Sequence, residues 1–267
     1  MAVQELDQNR DLSAEGLLSH IGATPRRLFS IAIERLEQRR ADWPICRLAL
    51  GFLLVAGEPL VHAVLQRLIS GAASLLFDRD LRQALHALGG LLIRDSTGRS
   101  SLFHAKFRDY LAQNAEAELR EDHLFTPAEV ADVHRQVADW CAPGAEDTIW
   151  HAGGAGIEPQ RRAYARTHYI THLYGSGDDA RLWQVLDDGR YGRQKIAHDP
   201  STYTYAPDLN LGRRSAARSD LSVVAAYAAT GSDGDRWAVP AWDSQGWGGV
   251  GGAGAELVPT HDYEHGP

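Results

Sequence analysis

The feature that most restricts the fold is one long apolar stretch, Leu48–Ala56, inside the segment WPICRLALGFLLVAGEPL. The stretch is about half as long as a helix must be to cross a bilayer. The whole segment is too long for a single strand of ordinary length. Gly57, Glu58 and Pro59 follow, and these residue types are typical of turns. The segment therefore predicts a buried helix followed by a short turn.

Composition and charge narrow the class of protein. The chain has 267 residues, of which 44% are hydrophobic, enough for one large domain or two modest ones. Lys and Arg number 27 and Asp and Glu 35, so the formal net charge is −8. This balance argues against nucleic acid as a partner, because nucleic-acid binding draws on neutralised phosphates.

Neither the start of the chain nor its cysteines indicate export. The first residues, MAVQELDQNR, do not place a basic stretch before an apolar one, so no signal peptide is predicted. No membrane contact is expected, and the predicted location is cytoplasmic. Cys46 and Cys141 lie in apolar helical contexts, which favours burial over a disulfide framework or a zinc site.

Periodic apolar residues predict helices on both sides of the buried segment. A helix is expected over 24–40, where Thr24 can act as the N-cap and Pro25 suits the first turn. Further helical patterns cover 60–69 and 78–88, and a glycine pair after the second of them is a common helix stop.

The periodicity changes beyond that glycine pair. In LLIRDSTGRSSLFHA, two short β-prone runs flank the turn-forming residues 95–99, which predicts a β-hairpin. A helical pattern then resumes over 106–119. Three helices, a hairpin and a closing helix follow one another in the order of a winged helix-turn-helix.

Helical patterns continue downstream, over 127–141, 159–174 and 178–186. A loop is expected over 142–156, and Gly175-Ser176-Gly177 is expected to separate the last two helices. Helices paired through tight glycine turns indicate an α-hairpin array of the TPR or HEAT kind.

Near residue 231 the composition changes sharply, and glycine and tryptophan replace the aliphatic pattern. Such a composition predicts a disordered tail. The predicted fold is therefore mainly α, with a winged helix-turn-helix, a small β-hairpin, a helical array and a tail. The predicted boundaries are 1–42 for lead-in helices, 43–118 for the winged-helix domain, 119–230 for the helical domain and 231–267 for the tail.

Motifs for catalysis and complete nucleotide binding are absent from the sequence. It contains no GxxxxGK[ST], HExxH, GxSxG or CxxC pattern, so the chain is not expected to be an enzyme and no catalytic residue is assigned. His168 and His172, in HYITH, lie one helical turn apart and would bind a metal only with a third ligand. Packing among neighbouring tyrosines is the favoured interpretation, and no metal ligand is assigned.

DNA binding through the winged helix is a second hypothesis. The second helix of such a motif must present base-reading side chains. Four residues of the helix over 78–88 would serve, with two more on the hairpin: Arg79, Arg82, Gln83, His86, Arg94 and Arg99. Acidic residues among them would repel phosphate, namely Asp78, Asp80 and Asp95.

One segment, LFHAKFRDYL, carries a family resemblance. It resembles the end of the winged-helix domain in STAND NTPases, the bacterial and eukaryotic signalling ATPases of the NACHT and NB-ARC groups. Upstream, LFSIAIERLEQRRADWPICRLALGFLLVAGEPL is similar to the stretch that enters this domain. Downstream, YARTHYITHLYGSGDDARLWQVLDD and DPSTYTYAPDLNLGRR are similar to the helical layer that follows. The resemblance covers about residues 24–218.

The resemblance implies a nucleotide-sensing role for His104. The histidine at this position of the family contacts the β-phosphate of bound ADP and helps to hold the inactive state. The phosphate-binding loop of such a protein would precede residue 1, so the resemblance implies a non-catalytic regulatory portion of a bacterial ATPase. ADP or ATP would be the ligand of the parent protein, and no cofactor is expected in this chain alone.

Partners and alternatives follow from the same reasoning. The expected partner is an upstream nucleotide-binding domain or another protein, and a homo-oligomer is also compatible with the sequence. One alternative function is a winged-helix DNA-binding regulator. The other is a helical-repeat adaptor that binds a protein, with the tail tryptophans as anchors.

Overall fold

The computed structural model describes residues 25–39, 42–72, 77–112, 125–187, 189–201 and 204–229. The chain divides into two compact units, Met1–Ser219 and Asp220–Pro267. Of the second unit the structure describes only 220–229, which is helical. The predicted tail over 231–267, the Thr24 cap and residues 113–119 of the predicted closing helix lie outside the described residues.

The described residues form ten α-helices and one small antiparallel sheet, which confirms the prediction of a mainly helical fold. The first half of the chain contains α1 (Pro25–Arg39), α2 (Trp43–Val55), α3 (His62–Ala72), α4 (Asp78–Ala87), a 3-10 turn (Gly89–Leu91), β1 (Leu92–Arg94), β2 (Ser100–Leu102) and α5 (Ala105–Ala112). The second half contains α6 (Pro127–Cys141), a 3-10 turn (Glu146–Ile149), α7 (Glu158–Ser176), α8 (Asp179–Asp187), α9 (Arg190–His198) and α10 (Ala206–Ala229).

Helix α2 is the centre of the core, as its apolar sequence predicts. It contacts α3, α4, α5, α6 and β2, and every residue from Ala49 to Val55 is buried. A helix that is apolar on all sides can be stable in water only when neighbours cover all of its faces. Pro44 lies in its first turn, where a missing N–H removes no helical hydrogen bond. The predicted burial of Cys46 and Cys141 is confirmed, and both are free thiols.

The two strands pair antiparallel, with Leu92 opposite Leu102 and Arg94 opposite Ser100. The turn between them is held by the Asp95 carboxylate, which accepts hydrogen bonds from the backbone N–H groups of Thr97 and Arg99, each at 2.9 Å. An aspartate that binds the backbone beyond it is a common way to close a turn.

Leu60 differs from its prediction as part of helix 60–69. It is extended and pairs with Ser100 through reciprocal backbone hydrogen bonds of 2.9 and 2.8 Å. Pro59 precedes it and the partner strand satisfies its backbone, so α3 begins only at His62. Apolar periodicity alone cannot distinguish a helical Leu60 from an extended one, because an apolar residue at this position suits burial in either conformation.

Helices α6 and α7 pack along each other and carry the second half of the core. Helix α6 begins with a complete capping box between Thr126 and Glu129. Helix α7 runs through Gly175 to Ser176, so the prediction that these residues separate two helices is wrong. Only Gly177, at φ +70°, ends the helix in the left-handed conformation that glycine adopts readily.

Helices α9 and α10 lie within the predicted helical domain over 119–230, although the sequence analysis did not place them individually. The predicted loop over 142–156 contains a 3-10 turn. Within the described ranges, every helix is too short or too polar to traverse a lipid bilayer.

Candidate functional site

His104 lies between the end of β2 and the first residue of α5 and is exposed to solvent. Its carbonyl oxygen accepts hydrogen bonds from the N–H groups of Phe107 (3.0 Å) and Arg108 (3.2 Å), which form the first turn of α5. Its ring Nδ1 accepts the backbone N–H of Lys106 at 3.0 Å. His104 therefore caps this helix with both its backbone and its side chain.

This cap determines which ring nitrogen of His104 carries a proton. Because Nδ1 accepts a hydrogen bond, the neutral ring must carry its hydrogen on Nε2. The His104 ring also lies beside the Phe103 ring, with centroids 5.5 Å apart. His104 thus presents an oriented N–H donor at the surface.

The core fixes the position of this histidine. On α5, Phe107 and Tyr110 are buried and pack against Phe29 of α1, with ring centroids at 5.0 and 5.7 Å. The guanidinium of Arg108 donates to the carbonyl oxygen of Leu54 in α2 at 2.8 Å. Contacts with two helices therefore hold the segment that carries His104.

The helix considered for DNA reading, α4, presents arginines whose charges are locally compensated. Arg79 and Arg82 are exposed, at 86% and 70% of their side chains. Arg79 contacts Asp80 at 3.4 Å, and Arg82 forms an ion pair with Asp78. Asp78 also accepts a hydrogen bond from His62 at 2.7 Å, and this bond is the main reason why the pKa of its carboxyl is lowered.

A second group of polar residues lies where α6 and α7 pack together, with the buried side chains of Tyr164 and His172 at its centre. His172 is fully buried, its Nδ1 lies 2.9 Å from Nδ1 of His134, and its Nε2 lies 2.8 Å from the Tyr164 hydroxyl. The same hydroxyl accepts the backbone N–H of Gly57 at 3.2 Å. We call Gly57, Tyr164, His172 and His134 the buried relay.

The donors and acceptors of the buried relay can be satisfied in one order. Because Tyr164 accepts from Gly57, its own hydroxyl hydrogen is available for His172 Nε2. His172 then carries its hydrogen on Nδ1 and donates to His134. This assignment follows from the hydrogen-bond network and leaves both rings neutral.

Burial disfavours the charged form of each histidine in this region. It lowers the pKa of His134 to about 4 and lowers that of His172 well below the ordinary value. Burial also lowers the pKa of His168, whose Nε2 lies 3.8 Å from Glu58, beyond hydrogen-bond distance. In the part of the chain that the structure describes, His, Cys, Asp and Glu side chains form no group of three able to hold a metal.

Sequence reasoning found part of this arrangement. His168, His172 and the tyrosine contacts of HYITH were predicted, and Tyr164 packs on both rings, with centroids at 4.7 and 5.7 Å. His134 was missed, because it lies 38 residues before its partner and no local pattern marks it. The one local hint was that His134 falls, by helical spacing, beside the apolar residues Val130 and Val137 of α6.

Replacing Tyr164 with phenylalanine should lower the free energy of unfolding by about 1–3 kcal/mol, because the buried His172 ring and the backbone N–H of Gly57 lose the hydroxyl that both contact. Chemical denaturation would measure this loss. Tyr174→Phe is the matched control, because this half-buried residue on the same helix uses its ring to contact Arg218. Equal stability of the two variants would contradict a structural role for the Tyr164 hydroxyl.

In comparisons with known proteins, the chain matches no protein-family model, no curated protein and no solved structure.

Proposed function

We propose that this chain is a non-catalytic regulatory portion of a STAND-type signalling ATPase of the NACHT or NB-ARC kind. Its role would be to dock on a nucleotide-binding domain and to distinguish the ADP state from the ATP state. The observation that carries the proposal is the exposed Nε2–H donor of His104, held by the core at a strand-to-helix junction. An oriented imidazole donor suits a phosphate oxygen, and its contact would differ between nucleotide states.

The order of elements supports a winged helix for the first half of the chain. Helices α2, α3 and α4 precede the small sheet and α5 follows it, as a winged helix-turn-helix requires. The helices from α6 onward would form the helical domain that follows. Fold order alone assigns no function, so the proposal depends on the site at His104.

In this proposal His104 supplies one contact to the nucleotide, and no phosphate-wrapping loop accompanies it. The sequence lacks GxxxxGK[ST], so the docking partner would have to supply most of the binding energy for ADP. In the assembled protein the nucleotide would supply the phosphate oxygen that distinguishes the two states, and His104 would supply the donor. The isolated chain should neither hydrolyse ATP nor bind ADP with micromolar affinity.

The sharpest test measures ADP binding by a separately purified P-loop domain encoded beside this chain. Adding the wild-type chain should tighten ADP binding, and His104→Ala should remove about tenfold of the affinity, the value of one charge-assisted hydrogen bond. His86→Ala, an exposed histidine on α4, is the matched control. A P-loop domain that binds ADP equally well with and without the chain would contradict the proposal.

A winged-helix DNA-binding regulator is the second candidate, because Arg79 and Arg82 are both exposed on α4. Their aspartate partners and the net charge of −8 weaken the electrostatic attraction between these arginines and DNA phosphates. We expect no retention of duplex DNA at physiological salt. Salt-sensitive retention that Arg79→Ala/Arg82→Ala abolishes, and that Arg213→Ala/Arg214→Ala leaves intact, would favour DNA binding instead.

A further inference from the structure

The first half of α7 carries more positive charge than its own carboxylate can neutralise. Arg161 and Arg162 both contact Glu158, with nitrogen–oxygen distances of 2.7 and 3.4 Å. Arg166, one turn further along, has no carboxylate partner among the described residues. This part of the helix therefore carries three guanidinium groups and a single carboxylate, which contacts two of them.

The other carboxylates of this region are bound elsewhere. Glu146 accepts the Tyr169 hydroxyl at 3.1 Å and lies 3.7 Å from Arg181. Asp147 pairs with Arg190. Asp199, next to His198 in the chain, accepts hydrogen bonds from Ser201 and Thr204, at 3.1 and 2.8 Å. Glu146 and Asp147 are thus committed to other arginines, and none of these three carboxylates forms an ion pair with Arg166 in the part of the chain that the structure describes.

The guanidinium of Arg166 is anchored at one edge and weakly bound at the other. Its Nε donates to the Ile149 carbonyl oxygen at 3.1 Å. Its Nη2 lies 3.4 Å from the His151 carbonyl oxygen, and its Nη1 lies 3.5 Å from Nε2 of His198. Contacts of this length are at the limit of hydrogen bonding, so the two terminal nitrogens retain capacity for an acceptor.

The surroundings of Arg166 are fixed before any ligand arrives. Arg162 holds the neighbouring loop by donating to the carbonyl oxygens of His151 (3.1 Å), Ala152 (3.4 Å) and Gly153. The Trp150 ring packs edge-on against His198, with centroids 6.2 Å apart. His151 and His198 are both exposed residues, and Arg166 contacts the backbone carbonyl oxygen of the first and the ring Nε2 of the second.

We propose that Arg166, His151 and His198 form a binding site for a doubly charged phosphate group. The two terminal nitrogens of Arg166 would bind two phosphate oxygens, in the bidentate manner that a guanidinium favours. The imidazoles would donate through ring nitrogens that do not face Arg166, because the Nε2 of His198 that faces it accepts. A dianion matches the charge excess on α7 better than a carboxylate does. Partial burial, and after it the charge of Arg162, lower the pKa of Arg166, and a bound anion would offset both effects.

This site is separate from His104 and does not depend on the proposed function. The shared chemistry is a phosphate monoester or inorganic phosphate, whether it is free in solution or carried by a lipid. A phosphate monoester can be offered either as a soluble molecule or as a lipid headgroup in a vesicle, and comparing the two distinguishes these sources.

Calorimetric titration of the full chain with inorganic phosphate, at constant ionic strength, tests the proposal. We expect saturable binding whose affinity falls by about tenfold or more in Arg166→Gln. The affinity should fall by less in Arg166→Lys, which keeps the positive charge but cannot bind two phosphate oxygens with a planar guanidinium. Arg213→Gln, an exposed arginine on α10, should bind like the wild type. The histidine ring resonances of His151 and His198 should shift on binding in the wild type alone.

The variants and probes also define what would overturn the inference. Phosphate affinity that is unchanged in Arg166→Gln, or equal heats from chloride at the same ionic strength, would rule out a specific site. Circular dichroism of Arg166→Gln checks its fold, and His198→Ala provides a second variant that leaves the Ile149 anchor intact. Glycerol phosphate and vesicles containing phosphatidic acid then separate a soluble ligand from a lipid headgroup.

Discussion

Replacing Lys195 with methionine should lower the free energy of unfolding by about 3–5 kcal/mol. Lys195 in α9 forms an ion pair with Asp208 in α10, and their side chains are only 5% and 4% exposed. Burial raises the pKa of Asp208, and the ammonium group opposes that change. Without the ammonium group, the carboxyl must stay as an unpaired buried charge or take up a proton, and both cost stability. Chemical denaturation at neutral pH measures the loss.

The second partner provides the control for this prediction. Lys195→Met/Asp208→Leu removes both charges, so we expect it to recover most of the stability lost in the single variant. The loss in Lys195→Met should also shrink as the pH falls, because protonation of Asp208 then removes the unpaired charge. A single variant as stable as the wild type, or one whose loss does not depend on pH, would contradict this account.

Acid should destabilise the fold through the buried relay. In the folded state the pKa of His134 is about 4, against 6.5 for an ordinary histidine. A lowered histidine pKa means that the unfolded chain binds the proton first. Stability is therefore complete above pH 6.5 and is lost as the pH falls toward 4, by about 3 kcal/mol from this residue. His172, whose pKa is also lowered, adds to the loss.

Denaturation curves at a series of pH values between 7 and 4.5 test this expectation. His134→Asn keeps an acceptor for His172 but cannot titrate, so its stability should fall less steeply with acid. His86→Asn, an exposed histidine replacement on α4, should follow the wild-type profile. Parallel profiles for wild type and His134→Asn would show that another group controls the acid response.

Much of the secondary structure could be predicted from local sequence. The bounds of α6 agree with the predicted helix over 127–141, because Thr126, Pro127 and Glu129 specify its start within one turn. The apolar segment that becomes α2 could only be a buried helix. The turn at Asp95 was equally clear, since its hydrogen bonds join residues that are near neighbours in the chain.

The same reasoning placed His104 at the junction between the second short strand and the closing helix, and the structure has it there. Its solvent exposure and the placement of its ring hydrogen on Nε2 were not deducible from the pattern. They depend on how α5 packs against α1 and α2, and on the cap that the ring makes with Lys106.

Tertiary structure alone decided which distant residues meet. Leu60 became extended because Ser100 paired with it, and His134 met His172 because α6 packs along α7. Lys195 of α9 met Asp208 of α10, a helix whose own sequence carries little apolar periodicity. Local hydrogen bonds and caps are encoded within a few neighbouring residues. Buried polar partners depend on packing between segments far apart in the chain, which no local pattern specifies.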